Sequence, residues 1–118
     1  MGLHIDLICN NGEIKTFYIT HNLRDMAYAA GLYYALWRPY KVAVPNTDDG
    51  YEGLITVKAK NLIETLENGL YNLEHSPSKY KAYIPENGWG SYEELVEFVI
   101  KYLEVCKLNP DATVEVDR

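Results

Sequence analysis

The sequence predicts a single α+β domain: a three-stranded antiparallel sheet, made of an N-terminal hairpin plus a C-terminal strand, with three helices packed on one face. Three observations predict this fold. Two alternating apolar runs flank Asn11-Gly12, three later stretches repeat apolar residues at helical spacing, and a β-branched run lies at 113–117. A chain of 118 residues can bury one core, so we expect one domain over 1–118.

The hairpin is predicted from the runs at 3–9 and 14–19, because Asn11-Gly12 tolerates the positive φ values of a type I′ turn. A two-residue loop sets the register and places one residue set on the core face. The pairs expected on that face are Cys9 with Ile14, Leu7 with Thr16, and Ile5 with Tyr18.

This register leaves Ile8, Phe17 and Ile19 on the opposite face. Such a face is more apolar than a solvated sheet face needs to be. We therefore expect either a partner or a loop of the same chain to cover these three interface candidates.

The first helix is predicted from Asn22, its N-cap, to Trp37, with Pro39 ending the pattern. A long loop rich in Pro, Asn, Asp and Gly follows to about Thr56, with a short extended piece at Leu54-Ile55.

The second helix is predicted from an apolar stripe that runs from Leu62 to Leu73. The third begins at the capping box Ser91 to Glu94 and ends before Asn109-Pro110. We expect the last strand, at 113–117, to lie beside the first strand.

Composition excludes several classes of function. The net charge of -6 argues against general nucleic-acid binding, because no broad basic face can neutralise phosphates. No long apolar span or signal peptide is visible, so we expect no membrane association and a cytoplasmic location. Cys9 and Cys106 form no paired motif and are expected to be buried thiols. We expect no cofactor, metal site or catalytic residue.

The candidate ligand site is the end of the domain where two predicted helices begin. Alternating element directions would bring Thr20-His21-Asn22 close to the segment 80–92, with helix N-termini and aromatic rings together. This combination suits a small anionic or nucleotide-like ligand. The same residues also suit purely structural roles, as caps, a tight turn and a core plug. The residues assigned to the site are His21, Asn22, Asn87, Trp89 and Tyr92.

Arg38 is a further ligand-binding candidate. In this arrangement Trp37-Arg38-Pro39 lies at the opposite end of the domain from His21. The guanidinium there suits a carboxylate, a ligand phosphate or the carbonyls that end its own helix.

A family resemblance covers nearly the whole chain. It resembles a family of small proteins carried by phages and prophage-bearing bacteria, and implies an accessory phage role, including the countering of host defence, inside a bacterial host cell. The resemblance implies no catalytic residues. The motifs that carry it include Thr20-His21-Asn22-Leu23, Leu36-Trp37-Arg38-Pro39, Asn87-Gly88-Trp89-Gly90 and Pro110-Asp111-Ala112.

The leading hypothesis is a non-enzymatic binding protein, which inhibits a host protein or sequesters a small nucleotide-like ligand. Two alternatives stay open. One is a small hydrolase that uses His21 with a nearby carboxylate, and the other is a structural oligomer built through the open sheet face.

Overall fold

The computed structural model describes residues 2–84, 88 and 90–118. The fold is α+β, with strands β1 (Gly2–Ile8), β2 (Ile14–Thr20) and β3 (Thr113–Asp117). The sheet order is β2-β1-β3, and both pairings are antiparallel, which confirms the predicted sheet. The helices in the described residues are α1 (Arg24–Ala29), α2 (Tyr33–Trp37), α3 (Tyr40–Ala43), α4 (Ile63–His75), α5 (Pro77–Lys81) and α6 (Tyr92–Leu108).

The hairpin forms where it was predicted, but the predicted register is wrong by one residue, since Ile8 pairs with Ile14. The cause is a loop of three residues rather than two. The Gly12 N–H donates to the Cys9 carbonyl at 2.9 Å, and the Cys9 N–H donates to the Glu13 carbonyl at 2.8 Å. Gly12 has a φ of +87°, the left-handed value that the last position of such a loop requires.

The shift in register reverses the two faces of β2. Ile19 is buried and Phe17 packs against the core, whereas Tyr18 is exposed. The prediction that Phe17 and Ile19 share an open face with Ile8 is therefore wrong. Of the three candidates, only Ile8 lies on the outer face, opposite Ile14.

The predicted first helix is interrupted at Gly31. The Gly31 N–H donates to the Tyr28 carbonyl and the Leu32 N–H to the Ala27 carbonyl, which is the Schellman pattern that ends a helix. Gly31 has a φ of +84°, which glycine adopts without a steric penalty. The chain turns back here, and α2 starts in a new direction.

The start of this region is capped by Thr20, so the assignment of Asn22 as the cap is wrong. The Thr20 hydroxyl accepts a hydrogen bond from the Asn22 N–H at 3.3 Å, at the head of a short 3₁₀ turn over His21–Leu23. The predicted cap of α6 is confirmed, since the Ser91 hydroxyl accepts from the Glu94 N–H at 3.1 Å.

The predicted long loop contains α3 and a 3₁₀ turn over Asp49–Leu54, and α5 follows the second predicted helix. Sequence patterns missed these elements because each spans only four to six residues. In the described part of the chain, no helix combines the length and apolarity needed to cross a membrane.

Candidate functional site

A groove lies where the chain leaves the sheet and meets the segment after α5. One wall comes from the 3₁₀ turn and the start of α1, and the other from the residues that follow α5. Its volume is about 430 Å³, and we call it the His21 groove. Its lining residues are His21, Asn22, Arg24, Asp25, Ala82, Tyr83 and Ile84.

His21 is held in one orientation and one tautomer. The indole Nε1–H of Trp37 donates to Nδ1 of His21 at 2.9 Å. Because an indole nitrogen only donates, Nδ1 must carry the lone pair, and the neutral ring then carries its hydrogen on Nε2. The hydrogen bond from Trp37 thus leaves Nε2–H of His21 as a donor for a ligand.

Burial lowers the pKa of His21, and the positive charge of Arg24 lowers this pKa further. The donor from Trp37 acts in the same direction, because a protonated ring would present a hydrogen at Nδ1 to it. His21 is therefore neutral at pH 7, and the fixed positive charge of the groove is the Arg24 guanidinium.

The contact between Trp37 and His21 corrects the prediction that these residues lie at opposite ends of the domain. That prediction assumed one continuous helix from Asn22 to Trp37. The break at Gly31 folds α2 back toward the start of α1 and brings the indole, which is 1% exposed, to the imidazole.

The turn at Gly31 is held against α4 by two contacts. A Cβ on Gly69 would lie 2.2 Å from Cδ2 of Leu32, so the absence of a side chain there makes room for the buried leucine. The Asn72 amide donates to the Ala30 carbonyl at 3.0 Å. These contacts fix where α2 begins and so where Trp37 lies.

Trp37 is also held from its other side. Its ring stacks on Tyr33, with centroids 5.7 Å apart and planes 7° from parallel. Arg118 donates to the Trp37 carbonyl at 2.8 Å and forms a two-pronged ion pair with Glu52 at 2.6 and 2.7 Å. The position of His21 thus depends on a chain of contacts that reaches Arg118, the residue after β3.

Arg38 lies outside the His21 groove, in a cluster of its own. Its guanidinium donates to the hydroxyls of Tyr33 and Tyr40, each at 3.3 Å, and lies 3.8 Å from Asp49. Hydrogen bonds from Tyr40 and Lys41 lower the pKa of Asp49. The structure separates Arg38 from the other ligand-site candidates.

The remaining site candidates fall in different places. Tyr92 is buried, and its hydroxyl donates to the Leu73 carbonyl at 2.6 Å, so this residue belongs to the core. Asn87 and Trp89 lie outside the described residues. The structure therefore places two of the predicted site residues, His21 and Asn22, in one groove.

Sequence reasoning missed Arg24, Asp25 and Tyr83 as groove residues. A signal for the first two was present, because they follow His21-Asn22-Leu23 directly and lie in the next helical turn. Tyr83, which is 42% exposed, lies in the segment 80–92 that was expected at this end of the domain, but it was not assigned to the site.

The groove offers hydrogen-bond donors and one carboxylate. The donors are the His21 ring, the Asn22 amide and the Arg24 guanidinium, and the carboxylate belongs to Asp25. Among the described residues, no group of three or more His, Cys, Asp and Glu side chains is arranged to hold a metal ion. A comparison of the chain with protein-family models, curated proteins and solved structures finds no match.

Proposed function

We propose that this protein is a non-enzymatic binding protein that holds a small anionic, nucleotide-like ligand in the His21 groove. The observation that carries the proposal is the hydrogen bond from Trp37 to His21. The buried indole N–H of Trp37 holds Nδ1 of His21, and this leaves Nε2–H of His21 as an oriented donor beside Arg24.

The side chains that line the His21 groove suit a ligand with an anionic group and an aromatic ring. A guanidinium and a neutral imidazole N–H both donate to phosphate or carboxylate oxygens, and a guanidinium does so through two parallel hydrogen bonds. Tyr83, on the opposite wall, offers a partly exposed ring for stacking on a base. Asp25 can accept from an amino or hydroxyl group of the same ligand.

The resemblance to phage and prophage proteins extends the proposal to a biological role. A protein that sequesters a small nucleotide would lower its free concentration in an infected cell. This would counter a host defence that signals through such a nucleotide.

Titration with nucleotides tests the proposal. The probes are AMP, GMP, CMP and UMP, with adenosine and ribose 5-phosphate as comparators, and the readout is the amide NMR spectrum. We expect at least one monophosphate to shift the amides of Asn22, Arg24 and Tyr83. His21→Ala and Arg24→Gln should each weaken that binding by about 10-fold or more, because charge-assisted hydrogen bonds contribute roughly 1.5–3 kcal/mol.

His75→Ala provides the matched control, because His75 is exposed on α4, where its ring stacks on Tyr71, and does not line the groove. Binding that survives both groove substitutions would refute this site, as would a spectrum that none of the four nucleotides changes. If a nucleotide is instead converted to product in a reaction lost in His21→Ala, the protein is a hydrolase and the proposal fails.

A further inference from the structure

β2 is an edge strand whose outer side is unpaired. It lies at one end of the sheet and pairs with β1 alone. The hydrogen bond between Cys9 and Glu13 sets the alternation of the ladder. The backbone groups of Phe17 therefore point to β1, and those of Thr16 and Tyr18 point away. Within the described residues, these outward N–H and C=O groups have no hydrogen-bond partner.

Helix α6 forms a wall along this edge and runs antiparallel to β2. A Cβ on Gly90, just before the helix, would lie 3.1 Å from the Thr20 methyl group. Further along, the ring centroids of Phe17 and Phe98 are 6.2 Å apart. Strand and helix together bound a groove of about 450 Å³, which we call the edge groove. Its lining residues are 16–20 of β2, with Glu94, Glu97, Phe98 and Lys101 of α6.

The charges along the edge groove change sign from one end to the other. Glu94 and Glu97 lie toward the C-terminal end of β2, whereas Lys101 lies toward its N-terminal end. All three side chains are exposed, and none forms an ion pair with another described residue. Lys15 adds a positive charge at the N-terminal end, next to its ion-pair partner Glu13 at 2.7 Å.

We propose that the edge groove binds the β2 strand of a second copy of this chain, so that two sheets join into one six-stranded antiparallel sheet. A two-fold axis at Phe17 places Thr16 of each copy opposite Tyr18 of the other, which pairs the outward backbone groups of both. The same axis places the acidic end of each groove against the basic end of the other, because the strands run antiparallel.

The side chains of β2 complement those of the edge groove, so a second β2 strand fits this groove. The inward residues of β2 are Lys15 and then Phe17, so a second β2 brings a lysine to Glu94 and Glu97 and an aromatic ring to Phe17. Natural edge strands are commonly protected from such pairing by proline, a bulge or inward-pointing charges such as lysine. β2 contains no proline within its seven residues, and its inward-pointing charge, Lys15, meets the carboxylates of Glu94 and Glu97 in the dimer instead of staying uncompensated.

Two charge-reversal variants, each measured alone and then mixed, test the proposal. Glu97→Lys places positive charges against each other in the dimer, and Lys101→Glu does the same with negative charges. Each variant alone should dimerise at least ~10-fold more weakly than the wild type, because juxtaposed like charges are costly. An equimolar mixture restores opposite charges at both contacts, so the heterodimer should recover to within ~3-fold of the wild-type affinity.

Sedimentation velocity and native mass spectrometry give the measurement, with one variant labelled uniformly with ¹⁵N so that the heterodimer and the two homodimers differ in mass. The wild type should show a concentration-dependent species with twice the 13.5 kDa mass of one chain. Glu104→Lys is the matched control, because Glu104 is exposed on α6 outside the edge groove. It should dimerise like the wild type.

A second variant tests the backbone pairing. Tyr18→Pro removes an outward N–H at a position where an edge strand accepts proline, so circular dichroism should show the native fold while the dimer is lost. The proposal is overturned by a wild type that stays monomeric at millimolar concentration, which would leave the groove to a peptide of another protein. It is also overturned by folded variants that all dimerise with wild-type affinity.

Discussion

Replacing Gly69 by alanine should destabilise the protein, although alanine is the better helix former. In the middle of α4, the change from glycine to alanine favours the helix by about 1 kcal/mol. Against this, the new methyl carbon would lie 2.2 and 2.3 Å from two carbons of Leu32, where ordinary contacts lie at about 3.5–4.0 Å. Leu32 is fully buried and would have to move by more than ~1 Å.

Overpacking of this kind costs roughly 1–3 kcal/mol, and a displacement this large belongs in the upper part of that range. The net loss in the free energy of unfolding is therefore about 1–2 kcal/mol, or a fall in Tm of roughly 4–10 °C for a chain of this size. Urea and thermal denaturation followed by circular dichroism measure both quantities. Because Asn68 is exposed on the same helix, Asn68→Ala should be neutral or slightly stabilising.

The close contact between Gly69 and Leu32 also predicts how substitutions at the two positions combine. If the clash is the cause, adding Leu32→Ala to Gly69→Ala should cost less than the sum of the two single changes, because the smaller side chain makes room for the methyl group. A Gly69→Ala protein as stable as the wild type or more so would refute the reasoning, as would strict additivity in the double variant.

Three further predictions concern other sites. Gly31→Ala should lower the free energy of unfolding by about 1–2 kcal/mol, because its φ of +84° is strained for alanine; an unchanged urea midpoint would contradict this. Tyr102→Phe should be neutral or stabilising by up to ~1 kcal/mol in the same assay. By geometry the buried hydroxyl has no hydrogen-bond partner among the described residues; a clear loss of stability would reveal that the nearby Cys106 thiol acts as one. Because the pKa of His21 is lower in the folded protein than in the unfolded chain, the unfolded chain binds more protons at this residue as the pH falls toward and below 6.5, and the free energy of unfolding decreases as the pH is lowered. Unfolding free energies between pH 7 and pH 5 should fall less steeply in His21→Gln, and equal slopes in the two proteins would argue against this coupling.

Local sequence signals predicted the elements well where one residue type decides the geometry. The N-cap at Ser91 and the strand at 113–117 beside β1 were both correct. The hairpin was placed correctly but misregistered, because Asn10-Asn11-Gly12 admits both a two-residue and a three-residue loop. One residue of loop length then exchanged the faces of β2, so Phe17 and Ile19 were assigned to the wrong side.

The site was harder to predict because it depends on contacts between distant segments. The sequence pattern from Asn22 to Trp37 continues through Gly31, since one glycine is tolerated in a helix at modest cost. The helix ends with the Schellman motif at Gly31, and the fit of Leu32 against Gly69, far along the chain, holds the turn in place. The contact between Trp37 and His21 follows from that break, and no local pattern could have predicted it.

The central position of β1 has a consequence for how the chain is made. Its partner on one side begins six residues after Ile8, but Thr113, its partner on the other side, lies 105 residues away. Closing the longer loop costs about 2.5 kcal/mol more in chain entropy, so the hairpin forms early and β3 docks late. On the ribosome, the second edge of β1 stays unpaired until Thr113 and the residues of β3 after it have been synthesised. Truncated or stalled nascent chains should therefore be the species most prone to aggregate.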